Sequence, residues 1–129
     1  MTEDELQALL EKTLPAAELH GLFVEECQDQ DVRLRFSPAP DGAGQGSWTT
    51  AALLAVADAS LRAAADVTAT LTHLNVTVLR PAQNADVIAL ARVIRRDRDV
   101  LHAEAWLFSH AVVEPMLHAT ASLVRSPVR

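Results

Sequence analysis

Eight consecutive positions, Thr50-Ala51-Ala52-Leu53-Leu54-Ala55-Val56-Ala57, carry no charge, and the ninth is Asp58. Good helix formers dominate the stretch. Ser47 is available as an N-cap, with Thr49 competing for that role, so the run predicts a helix over about 47–64. A helix without a charged side belongs inside a core. An ionised Asp58 there is costly unless it is hydrogen-bonded, paired, or turned into a cleft. Arg62 stands four residues further on, a favourable helical spacing for an ion pair. Asp58 therefore has two readings, a structural carboxylate held by its neighbours or a working acid at a ligand site, and both stay open here.

The 129 residues suffice for one domain, 1–129, with a real core. Half of them are hydrophobic and 22% are charged, which excludes a disordered chain. The apolar mass is mainly Ala, Val and Leu; Phe23, Phe36, Phe108, Trp48 and Trp106 are the only aromatic residues. Side chains that small let elements approach closely. A net charge of −6 argues against nucleic acid or an anionic membrane as partner. Arg92, Arg95, Arg96 and Arg98 do cluster, either as a solvated strand end or as a local anion site. Cys27 is the only cysteine, which fits a reducing compartment and a structural thiol. Met1-Thr2-Glu3-Asp4-Glu5 lacks a signal pattern, and no apolar run reaches membrane-spanning length, so the expected location is the cytoplasm.

Thr2 and Glu5 form a T-x-x-E capping box for a helix over about 3–13, which Pro15 should stop. Leu19 to Cys27 reads as a strand. Val32, Leu34 and Phe36 alternate with Arg33 and Arg35, the period-two pattern of a half-exposed strand. A loop rich in Pro and Gly follows, holding three of the four glycines (Gly42, Gly44, Gly46). After the central helix come four strand candidates: Thr70 to Arg80, Asp86 to Arg96, Val100 to Phe108 and Pro115 to Arg125. Residues of the second are apolar on both faces. The turn at Asp97-Arg98-Asp99 and other short connections suit antiparallel neighbours. The expected fold class is α+β, one antiparallel sheet curled around one buried helix.

That element order, with these residues, resembles the hotdog fold and, within it, acyl-CoA thioesterases of the phenylacetate-degradation (PaaI-like) type. Ala51 to Ala59 resembles the family's helix, with its acid after a Val-Ala pair. Leu74-Asn75-Val76-Thr77-Val78-Leu79-Arg80-Pro81-Ala82 resembles its "LNVNFLRPA" strand, and Met116 to Val124 its final strand. The family's His-Gly-Gly, nine residues before the acid, is degenerate here: Thr49-Thr50-Ala51 stands in its place. The resemblance implies a shared site in which one chain's helix start polarises the thioester carbonyl and the partner chain supplies the acid. Carried over, Thr50 and Ala51 are the oxyanion position and Asp58 the acid that attacks or activates water. Side chains at Thr50 and Ala51, with Trp48 and Thr49 beside them, narrow the approach.

Thioester hydrolysis needs a donor for the oxyanion and a nucleophile or activated water, and a helix start supplies free N–H groups and a positive dipole end. Asp58 lies nine residues, about 13 Å of helix rise, beyond Thr49. A substrate touching both must lie along the helix or cross a subunit boundary. His73, Asn75 and Thr77 project from one strand face, where they line a wet cleft or face solvent; Asn75 and Thr77 are taken as substrate-binding candidates. Arg80 suits a CoA phosphate, or else a surface ion pair. His102, Glu104 and His118 do not make a metal-ligand pattern, and no nucleotide or serine-hydrolase motif occurs, so neither metal nor cofactor is expected beyond the CoA of the substrate.

The expected function is thus an acyl-CoA thioesterase-like hydrolase working as a homodimer or homotetramer. One alternative is a non-catalytic hotdog module that binds an acyl or aromatic ligand. Another is a hotdog hydratase, which wants a His in the loop before the helix; Asp41 to Thr50 has none.

Overall fold

In the computed structural model, residues 2–13, 21–28, 30–37, 50–80, 85–109 and 114–125 are described. Two helices and six strands alternate as α1 (Glu3–Thr13), β1 (Phe23–Gln28), β2 (Asp31–Phe36), α2 (Thr50–Ala65), β3 (Thr70–Val78), β4 (Val87–Asp97), β5 (Val100–Ser109) and β6 (Pro115–Val124). The strands form one antiparallel sheet in the order β1-β2-β4-β5-β6-β3.

The order corrects one expectation. The short connection after β3 suggested that it neighbours β4, yet β4 pairs with β2 and β3 lies at the far edge beside β6. The helix explains this. Sixteen residues of α2 span about 24 Å at 1.5 Å per residue. Four strand spacings, from β2 to β3, are roughly 19 Å. A helix lying across the sheet is therefore long enough to deliver the chain to the opposite edge.

α2 rests mainly on β4 and β5, with β2 and β6 flanking. Leu53, Val56, Ala57, Ser60, Leu61 and Ala64 recur at helical spacing and are buried. The floor beneath is built from small residues: Ala89, Ala91, Ala103, Ala105, Ala119 and Ala121 all belong to the buried cluster. This is how an Ala-rich chain makes a core, by close approach rather than by bulky side chains. Larger residues, Leu34, Phe36, Leu107 and Met116, fill the ends.

α2 is not, however, apolar and buried all round. Thr50, Ala51 and Leu54 are exposed, and Ala55, Asp58 and Arg62 are half-buried. These positions make one open stripe, since the sheet covers only one side of a helix. β4 also departs from the two-faced burial expected of it. Val87, Ile88 and Ala89 are buried, whereas Leu90 and Ile94 are exposed on the sheet's outer side.

Local signals held up where the backbone alone decides them. Glu5 N–H donates to Thr2 Oγ1 (3.2 Å) and Thr2 N–H to Glu5 Oε1 (3.0 Å), the two arms of a capping box. The backbone and hydroxyl bonds from Thr2 hold the Glu5 carboxyl below its usual range. The β4–β5 turn uses Arg98 at φ 55°. β1 begins at Phe23, later than the Leu19 expected, with residues 14–20 outside the described set. Pro15, Ser47 and the Pro/Gly loop likewise lie outside it. No described helix is long and apolar enough to cross a membrane.

Candidate functional site

Asp58 sits two turns into α2 on its open stripe, with 35% of its side chain exposed. Arg62 Nε donates to Asp58 Oδ1 at 2.7 Å, the i,i+4 pair legible in the sequence. A second arm of the same guanidinium, Nη1, donates to the Ala69 carbonyl at 2.7 Å. Arg62 is thereby fixed against the turn into β3, and it holds Asp58 in one orientation. Among the described residues, Oδ2 has no hydrogen-bond partner. The carboxylate is not sealed in the core: one oxygen is anchored by Arg62, and about a third of the side chain is exposed among the described residues.

Thr50 and Ala51 occupy the first turn of the same helix, and both are exposed. Eight residues separate Thr50 from Asp58, about 12 Å of rise. Within one chain the two cannot address the same carbonyl group. Trp48 and Thr49 lie outside the described residues.

Asn75 and Thr77 fall elsewhere. Along β3, Leu74 and Val76 pack on the core, and their β6 partners are the buried Ala121 and Ala119. Asn75 and Thr77 therefore point to the outer side of the sheet, opposite Thr120 and His118. α2 lies on the inner side, so the sheet separates these two residues from Asp58 of the same chain. Arg80, just past β3, pairs with Glu114 at the start of β6; this is the surface ion pair weighed against a phosphate contact.

The outer face carries its own polar cluster. Glu104, with 13% of its side chain exposed, accepts from Arg92 Nε at 2.7 Å and faces His118 Nε2 at 3.2 Å. His118 stacks on Trp106, ring centroids 4.0 Å apart. His102 Nδ1 lies 3.1 Å from Ser122 Oγ. Arg92, Leu90 and Trp106 border a shallow hollow of about 260 Å³ on this side. The i, i+2 spacing places His102 and Glu104 on one strand face, but the meeting of Glu104 with His118 on the next strand depends on cross-strand register, which no local spacing shows. Among the described residues no group of three His, Cys, Asp or Glu side chains is placed to hold a metal ion. The arginine cluster is a strand end: Arg92 is paired with Glu104, and Arg95 lies 4.0 Å from Asp97. Burial pushes the Cys27 thiol up, which suits a structural thiol better than a nucleophile.

Burial raises the Glu104 carboxyl, but the bonds from Arg92 and His118 outweigh it and hold the group below its usual range. A depressed carboxylate stabilises the fold fully above its unfolded pKa, and that contribution is lost as pH falls through the folded value. Glu104→Gln is accordingly expected to flatten the acid limb of the melting-temperature profile between neutral pH and the low end of the carboxylate range. A variant whose acid limb runs parallel to the parent's contradicts that coupling.

No protein-family model matches the chain, and no curated protein matches it. Solved structures do. Zebra fish thioesterase superfamily member 2 superposes with a TM-score of 0.79 at 14% identity, over 96% of this chain and 98% of that one. A thioesterase from Pseudomonas aeruginosa, crystallised as a single-residue mutant, gives 0.74 at 18%, over 96% and 93%. A mutant of the phenylacetic acid degradation protein PaaI from Thermus thermophilus gives 0.70 at 17%, over 92% and 99%. This chain has the hotdog fold. Coverage near the full length of both partners shows that the likeness is of whole domains, from α1 through β6. The TM-scores carry the architecture, and identities of 14–18% leave chemistry to the site itself.

Proposed function

We propose that two copies of this hotdog chain form a thioester hydrolase that cleaves an acyl-CoA to a carboxylic acid and free CoA. The reading rests on Asp58: a carboxylate with one oxygen tied to Arg62 and the other open, on the uncovered stripe of the central helix. The first turn of α2, at Thr50 and Ala51, supplies the N–H end that polarises the thioester carbonyl. Asp58 of the second copy then either takes a proton from a water that attacks that carbonyl, or attacks it to give a mixed anhydride that water afterwards cleaves to the acid and free Asp58; in both routes the CoA thiolate leaves and is protonated. The roughly 12 Å between Thr50 and Asp58 is what makes two copies necessary.

The edges of the sheet support such a pairing. β3 is bonded to β6 on one side and to no described strand on the other. At that open edge Val78 is 56% exposed, and Leu79 just beyond it also faces outward. Backbone groups and apolar side chains together favour a second β3 antiparallel to the first. Light scattering should give twice the mass of one chain, and Val78→Arg should shift it toward the monomer with little loss of melting temperature. A parent that is monomeric at all concentrations contradicts the two-copy site.

Outward-facing Asn75 and Thr77 are assigned no part in this chemistry. Arg80, at the rim beyond β3, is kept as a CoA phosphate contact that exchanges Glu114 for ligand. The lone Cys27 suits a reducing, cytoplasmic setting. The primary test is release of free thiol from a panel of short-chain and aryl acyl-CoA thioesters. The second reading, a binding module without turnover, draws on Thr50 and Ala51, whose side chains crowd the approach that two glycines leave open. Saturable acyl-CoA binding with no thiol release selects it.

A further inference from the structure

One edge of the sheet is open and the other is closed in an unusual way. Among the described residues β1 has no strand on its outer side, yet its backbone is bonded there by side chains of α1. Gln7 Nε2 donates to the Leu22 carbonyl at 2.8 Å, and Val24 N–H donates to Gln7 Oε1 at 2.8 Å. One carboxamide thus takes up two edge groups, a C=O and an N–H two residues apart, that a neighbouring strand would otherwise bond. Further along, Cys27 N–H donates to Glu3 Oε2 at 3.1 Å. Gln7 Nε2 also donates to Glu11 Oε2 at 2.9 Å, so the amide is held in this orientation from within the helix.

We propose that α1 is a detachable substitute for an edge strand, and that the occupant it excludes is β1 of a second copy. Three features carry this. The bonded groups are those of a strand ladder, and antiparallel edges are self-complementary: with Val24 opposite Val24 of the copy, and the extra residue of the β1 bulge between Val24 and Glu26 counted, each Leu22 carbonyl faces the other chain's Cys27 amide. The helix has only 11 residues, too few to be stable alone, and only Leu6 and Leu10 are buried beneath it. Beside it lies a hollow of about 390 Å³, bordered by Leu6, Leu9, Ala64, Val67 and Arg125, so its packing toward the end of α2 is incomplete. An open β3 edge and an uncovered β1 edge on the same chain allow growth without closure. With α1 in place, only one edge is free and assembly stops.

The double variant Glu3→Ala, Gln7→Met removes the three edge bonds while keeping side-chain bulk at position 7. Light scattering should show at least a doubling of mass over the parent, growing with concentration. Hydrogen exchange should find the Val24 and Cys27 amides unprotected in the dilute variant and protected again in the larger species. No larger species, or one with those amides still unprotected, overturns the proposal. Should the variant fail to fold, the unaltered chain decides: in rising denaturant its Val24 and Cys27 amides must open together with α1, well before Leu34 and Phe36 of β2. Opening only at global unfolding overturns it. The comparison is with the parent's own mass, so the result stands apart from whether that parent is the β3-paired dimer or hydrolyses thioesters.

Discussion

Asp58→Asn is expected to lower thiol release from acyl-CoA by about a hundredfold or more, the usual scale for removing a general base or nucleophile. The fold should survive it. The Asn side-chain oxygen still accepts from Arg62 Nε, and the Nη1 bond to the Ala69 carbonyl is untouched. The position is half-exposed, so loss of its charge leaves nothing unpaired in the core. Melting temperature should stay within a couple of degrees, and acyl-CoA binding should persist. This separates three outcomes. Lost turnover with retained binding supports Asp58 as the acid. Unchanged turnover removes it from the chemistry and returns it to the structural role of an ion-pair partner. A fall in melting temperature matching the fall in rate shows that the carboxylate serves the fold.

Ala105→Leu should be the most damaging conservative change in the core. Ala105 is fully buried on β5, in the same cluster as Leu53, Val56 and Leu61 of α2. Its neighbours in the ladder, Ala91 on β4 and Ala119 on β6, are also buried alanines, so no side chain beside it can be trimmed to make room. Three added heavy atoms must push the helix off its floor or leave their rotamer, at a cost of about 3 kcal/mol. For a chain of this length that is a drop of roughly 10 °C in melting temperature. A melting temperature within a degree of the parent's means that the helix has slack above the sheet. The change also tests the functional reading, because a displaced α2 moves Thr50 and Asp58 together, and turnover should fall further than stability alone requires.

Much of this architecture is legible in the amino-acid order. The Thr2–Glu5 capping box, the alternation of Val32, Leu34 and Phe36, the charge-free run into Asp58 and the Asp97–Asp99 turn depend on residues close in sequence, and each is found as read. The Asp58–Arg62 pair belongs to the same class, since i,i+4 spacing is a property of the helix alone. The misread features involve distant partners. That α2 is covered on only one side depends on where the sheet ends. That β4 pairs with β2 depends on the helix carrying the chain across four strands. For Asn75 and Thr77 the alternation leaves a cleft and solvent both open, because it does not name the inner side of β3 until the neighbours are known.

Periodicity and local hydrogen bonding act over a few residues, so the elements, the Ala-built core and the single acid within an uncharged helix can be read from the residue order. Only the packing shows that the acid is half-open, that Asn75 and Thr77 lie across the sheet from it, and that Gln7 and Glu3 bond the edge of β1. Those facts arise from strand order and from helix placement, which join residues fifty and more positions apart, as in the bond from Thr72 to Ser122. No run of neighbouring residues encodes such a distance, so the sequence names the parts and the packing sets which of them meet.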